Sequence, residues 1–153
     1  MIAYFDSSAL VKMLVSEEES AATLALASSV EQVATVAISR AEVAAALAQA
    51  ARVGRLGRAA ALGAHRRFLR DRPDLIEVPV DAALIARAEQ LVWDHELRAY
   101  DAVQLAAALS LQAALQGKVV LASFDRRLLQ AGARAGLEVW PTRLLPTSPP
   151  PSR

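Results

Sequence analysis

Near the amino terminus, four consecutive apolar or aromatic residues, Ile2, Ala3, Tyr4 and Phe5, end on Asp6. A helical apolar pattern follows at once, with Ala9, Leu10, Met13 and Leu14 on one side. A run this short and apolar reads as a strand buried on both faces. A buried strand leading directly into a helix is the first half of a βαβ unit. In sheets built from such units, ligands sit beyond the carboxyl ends of the strands, which is where Asp6 stands. Asp6 or Ser7 can equally serve as a plain helix cap, so the weight falls on whether the pattern recurs.

It does recur. Further short strands are expected at 33–38, 75–78, 119–122 and 137–140, with helical segments between them. Ser16 and the acids Glu17, Glu18 and Glu19 read as a turn into a helix ending near Ser29, since acids suit a first turn. Ser39-x-x-Glu42 has the pattern of a capping box opening a helix to about Arg52, which Gly54 and Gly57 break. A basic helix from about Arg58 to Arg70 is closed by Pro73, and another helix runs from Asp81 to about His95. Asp101 leads into AVQLAAALSLQAAL, the most apolar helix and the expected central packing element. After Asp125 a last helix stops at Gly136. Short apolar strands alternating with helices predict a three-layer α/β sandwich, with a central, mainly parallel five-stranded sheet and strand one in the middle. One domain is expected over residues 1–140. Five of the seven prolines fall in 141–153, which predicts a disordered Pro-rich tail.

Composition narrows the chemistry. With no Cys there is neither a disulfide framework nor a thiolate metal site. The two histidines, His65 and His95, lie far apart among charged or polar neighbours, and both read as solvated surface residues. No stretch suits a signal peptide or a membrane span, so a cytoplasmic protein with no membrane partner is expected. Most of the 17 basic residues are Arg, concentrated at Arg52, Arg55, Arg58, Arg66, Arg67, Arg70 and Arg72. Arg suits bidentate phosphate contact, so this stretch is either a nucleic-acid face or a solvated helix surface.

Four acids occupy equivalent places: Asp6 after strand one, Glu42 after strand two, Asp101 at the start of the apolar helix and Asp125 after strand four. Each can be a simple cap or first-turn acid. Converging on one sheet edge about 5 Å apart, however, each like pair would repel by about 3 kcal/mol at an effective dielectric near 20. Helix amino termini return only about 0.3–1 kcal/mol each. Such a nest needs protons or a cation, and with oxygen ligands only the cation should be hard, Mg²⁺ or Mn²⁺.

The opening MIAYFDSSALVKMLVSEEES resembles that of PIN-domain ribonucleases, specifically the VapC-type toxins of type II toxin–antitoxin pairs. Ser39-x-x-Glu42, LRAYDAVQLA from Leu97 to Ala106, and Ser123-Phe124-Asp125-x-x-Leu128 resemble the remaining motifs, in order, over Ile2 to about Val139. Ser123 stands where Thr is more usual, and a hydroxyl is kept. The resemblance implies a PIN-like fold and Mg²⁺-dependent endonucleolytic hydrolysis of RNA. Asp6 and Asp101 would be the main metal ligands and catalytic acids, with Glu42 and Asp125 completing the pocket. A hard cation would lower the pKa of a bound water and so provide a nucleophile without a histidine base. Ser7, Ser8 and Ser123, with Arg52 and Arg55 of the basic stretch, are candidates to position substrate. A cognate antitoxin and a homodimer are implied in the same way.

Two other readings compete. A phosphoacceptor signalling domain is also doubly wound and binds Mg²⁺ through acids, but it wants an adjacent acidic pair where Ser7 and Ser8 stand. It also wants a Lys after the last strands, whereas Lys118 precedes its strand. A phosphatase of the D-x-D type fails on Ser8. A PIN-like module that binds RNA or protein without cleaving is the remaining alternative.

Overall fold

The computed structural model describes residues 1–146. Five strands form one sheet: β1 (Ile2–Phe5), β2 (Gln32–Val36), β3 (Ile76–Val78), β4 (Val119–Ala122) and β5 (Glu138–Trp140). Their order is β3-β2-β1-β4-β5 and every pairing is parallel, with β1 central. The sheet is thus wholly parallel rather than mainly so. From β1 the chain steps outward through β2 to β3 and then crosses back to β4, placing the reversal of strand order between β1 and β4. That reversal opens a crevice at the carboxyl edge, where Asp6 and Ser123 lie.

Strand alternation divides the core into two layers. Tyr4, Ala34, Val36, Val119 and Leu121 face one side, together with α5 (Ala82–His95), α6 (Ala99–Leu115) and α7 (Arg126–Arg134). Ala3, Phe5, Val33, Val120 and Ala122 face the other, against α1 (Ser7–Leu14), α3 (Ser39–Arg52) and α4 (Arg58–Asp71). α2 (Ser20–Ser29) flanks α1. As its composition suggests, α6 is the central packing helix, with an unbroken buried run from Ala102 to Ala108. Gln104 is the one polar residue in that run.

Strand and helix limits match the expected ones to within a few residues, with instructive differences. β2 stops at Val36, because Ala37 and Ile38 already turn into α3. Glu17–Glu19 precede α2 as a turn; Glu19 is its N-cap in a left-handed conformation, and the first turn of α2 holds no acid. The capping box at Ser39 does not form. Ile38, already helical, occupies the N-cap without a side-chain bond, and Ser39 is buried. Its hydroxyl has taken interior partners instead of the helix end.

The expectation of a disordered tail from 141 falls on both sides of the described boundary. Thr142–Leu144 form a 3-10 turn, and Arg143 pairs with Glu19; residues 147–153 lie outside the described residues. Among the described residues, no helix is long and apolar enough to cross a membrane.

Candidate active site

The side chain with the least freedom is that of Asp6. It ends β1 and caps α1, its Oδ1 accepting the Ala9 backbone N–H at 2.9 Å and the Ser8 hydroxyl at 2.7 Å. Its Oδ2 accepts the Ser123 hydroxyl at 2.6 Å. Ser8 in turn accepts the Phe124 N–H and Ser123 the Asp125 N–H, so both hydroxyls fasten β1 to the turn after β4. Capping and site-building therefore coexist in one residue. Asp125 N-caps α7, its Oδ1 accepting from the amides of Arg127 and Leu128.

Glu42 and Asp101 enter from the first turns of α3 and α6. Glu42 Oε2 accepts an N–H of the Gln104 side chain at 2.5 Å. The four acids influence one another as a closed ring. Asp6 is raised to about pKa 6, first by burial and also by the charge of Asp125, against the lowering effect of its donors Ser123, Ser8 and Ala9. Glu42 is raised by burial; Gln104 and the Ser7 hydroxyl oppose this, while the charges of Asp6 and Asp101 add to it. Asp101 is raised by burial and by Asp125, with the cations Arg98 and Arg127 pulling the other way. The Tyr4 phenol is held well above its ordinary range by burial and by the charges of Asp6 and Glu42. An environment that penalises negative charge on three neighbouring carboxylates favours whatever neutralises them.

The ring is looser than a finished cage. Among the described residues, no three His, Cys, Asp or Glu side chains are posed to hold a metal ion together. The donors available are nevertheless hard oxygens, and Mg²⁺ ordinarily keeps several waters and uses one or two carboxylates rather than an all-protein cage.

Of the expected substrate-positioning residues, Ser7, Ser8 and Ser123 lie among the acids, whereas Arg52 and Arg55 do not. Arg52 ends α3, ten residues and thus about 15 Å of helix from Glu42. It pairs with Gln49 and lines a cavity of about 380 Å³ between α3 and α4. Arg55 lines a second groove beside Val15 and Leu56. The cations that act on Asp101 are Arg98 and Arg127. Their only signal in the sequence is proximity to an acid, Arg98 three residues before Asp101 and Arg127 two after Asp125, against the far denser Arg run at 52–72. Tyr4, Thr35 and Gln104 have no site role of their own in the sequence reading, and Ser39 appears there as a helix cap and motif residue. The available signal was Gln104, an isolated amide one turn beyond Asp101 in an otherwise apolar helix.

Comparisons with known proteins identify the family and the fold. A family model described as the PIN domain matches residues 3–134. Ribonuclease VapC45 of Mycobacterium tuberculosis (strain CDC 1551 / Oshkosh) is 34% identical over 145 residues, covering 95% of this chain and 99% of that protein. Among solved structures, PAE2754 of Pyrobaculum aerophilum superposes with a TM-score of 0.64 at 22% identity, covering 94% of this chain and 87% of its own. A toxin–antitoxin complex from Klebsiella pneumoniae gives a TM-score of 0.53 at 17% identity, covering 77% of this chain and 83% of that one. Matched by the family model over most of its length and aligned almost throughout with a VapC ribonuclease, this chain belongs to the PIN-domain family, as a homologue of the VapC ribonuclease toxins.

Proposed function

We propose that this protein is a metal-dependent endoribonuclease, the toxin of a toxin–antitoxin pair, and that Asp6, Glu42, Asp101 and Asp125 form its catalytic pocket. The observation that carries the reading is the convergence of four carboxylates, from four elements, beside the point where strand order reverses. Ligands of open parallel sheets bind at that point, and Asp6, Glu42 and Asp101 there hold protons more tightly than usual.

Asp6 and Asp101 would be the principal ligands of a Mg²⁺ or Mn²⁺ ion, with Glu42 and Asp125 reaching it directly or through its waters. Such an ion supplies a polarised phosphoryl oxygen and a water acidic enough to attack at neutral pH. The rest of the work belongs to the chain itself. Ser8 and Ser123 hold the Asp6 carboxylate in one orientation, so no side-chain freedom is lost when the pocket is filled. Ser7, hydrogen-bonded to Glu42, would hold a coordinated water or a phosphate oxygen. Arg98 and Arg127 bring positive charge to the Asp101 side, where a polyanion must approach four acids.

The curated relative VapC45 is described as a ribonuclease and the Klebsiella structure as a toxin–antitoxin complex. These descriptions support RNA as substrate and an antitoxin as partner; a cytoplasmic location and a homodimer are part of the same proposal. The test is cleavage of an end-labelled structured RNA by the purified protein. Internal cuts that need Mg²⁺ or Mn²⁺, stop with a chelator and vanish in Asp6→Asn are expected. RNA binding without cleavage under all these conditions would leave the non-catalytic PIN-like module, and phosphorylation of Asp6 by a small phosphodonor would favour the signalling domain.

A further inference from the structure

A buried polar network joins β1, β2, α3 and α6 behind the acids. Tyr4, Thr35, Ser39 and Gln104 have relative exposures of 0%, 1%, 0% and 2%. Thr35 Oγ1 lies 2.8 Å from both the Phe5 carbonyl oxygen and Ser39 Oγ. A carbonyl can only accept, so the single Thr35 proton goes to Phe5 and the Ser39 hydroxyl donates to Thr35. Ser39 Oγ must then accept at its other contact, 3.0 Å from Gln104. The amide of Gln104 therefore turns its NH₂ group toward Ser39. This fixes an orientation that distance alone leaves ambiguous.

The other end of the amide obeys the same logic. Tyr4 donates its hydroxyl to Gln104 Oε1 at 2.7 Å. With Oε1 committed to Tyr4 and one N–H to Ser39, the second N–H has one place to go, Glu42 Oε2 at 2.5 Å. Asp101 and Gln104 are three residues apart on α6, hence on one face of the helix. One helix thus carries an acid of the pocket and clamps another.

We propose that Gln104 is a positioning residue, its amide locked by Tyr4 and Ser39 so that it holds the Glu42 carboxylate beside Asp6 and Asp101. The inference rests on the nuclease reading for the purpose of the clamp, though not for its geometry. A buried amide offering two N–H groups and one accepting oxygen matches its three partners, and a side chain of the same size without polar atoms would leave the Tyr4 hydroxyl unpaired and take one donor each from Ser39 and Glu42. Loss of a group that orients a metal ligand typically lowers metal affinity or activity about 10- to 100-fold.

The decisive experiment compares the full chain with the double variant Tyr4→Phe/Gln104→Met, in which neither residue orphans the other. Mn²⁺ affinity is measured without RNA, and kcat and KM are measured on RNA. Both the affinity and kcat are expected to fall about 10- to 100-fold, with KM within about twofold of wild type. In a Glu42→Gln background the same pair of changes is expected to alter neither further, because contacting residues are not additive. Wild-type affinity and kcat in the double variant, or an undiminished extra loss in the Glu42→Gln background, overturns the proposal. Should the double variant not fold, Tyr4→Phe alone, which deletes a single oxygen, must still lower Mn²⁺ affinity several-fold or the proposal fails. If the wild type binds Mn²⁺ but cuts no RNA, the nuclease reading falls while the affinity series still decides the role of Gln104.

Discussion

Without a bound cation, the Asp6 carboxylate ionises near neutral pH against the preference of its surroundings. Its pKa is raised to about 6 from an ordinary 3.8, so the folded state holds that proton more tightly than the unfolded chain. Stability from this group is therefore greatest below about pH 3.8, falls as pH rises through about 6, and stays low above. At 1.36 kcal/mol per unit the penalty is about 3 kcal/mol. Asp6→Asn is accordingly expected to abolish cleavage and yet stabilise the metal-free protein by up to ~3 kcal/mol at about pH 8, with the gain vanishing near pH 4. Urea unfolding at the two pH values measures this. A variant less stable than wild type at both would show that burial does not penalise the charge. Ser123→Ala acts in the opposite sense. It removes a 2.6 Å donor to Asp6 and should cost about 1–3 kcal/mol at neutral pH, read by the same unfolding curves.

At the scale of elements, the site depends on how α7 seats against the sheet, because Asp125 is its N-cap. A Cβ on Gly132 would lie 2.6 Å from Leu121 Cδ2 and 3.4 Å from Val139 Cγ1. Leu121 is fully buried and has little room to yield. Gly132→Ala is thus expected to destabilise by about 1–3 kcal/mol, seen as an earlier denaturant midpoint with an unchanged slope. α3 tells the reverse story, since its far end is remote from the acids. Arg52→Ala should leave kcat within about twofold of wild type, and a larger fall would place the substrate along the cavity between α3 and α4. The elements themselves were legible in the sequence, because apolar runs of four residues ending on acids or hydroxyls permit few alternatives. What misled was Ser39-x-x-Glu42. The pattern suits a cap, but the cap competes with interior partners, and nothing local in the sequence shows that Gln104, 65 residues away, claims that hydroxyl.

At the scale of the whole molecule, the fold brings together acids that the chain keeps far apart, from Asp6 to Asp125. Their convergence could be inferred because each follows a strand or opens a helix, and a parallel sheet sends all such points to one edge. The cations could not be assigned in the same way. Arg98 acts on Asp101 from the N-cap of the same helix and Arg127 from α7, whereas the denser run at 52–72 is partly spent in pairs such as Arg72–Glu77 and Arg70–Asp71. The central claim is that these carboxylates accept a divalent cation in place of protons. Calorimetric titration of Mn²⁺ into wild type and Asp6→Asn, repeated in buffers of different ionisation enthalpy, tests it most directly. Saturable binding by the wild type is expected, releasing close to half a proton at Asp6 near pH 6 and almost none at about pH 8, with binding greatly weakened in the variant. No saturable binding, or equal binding by the two proteins, would contradict the claim.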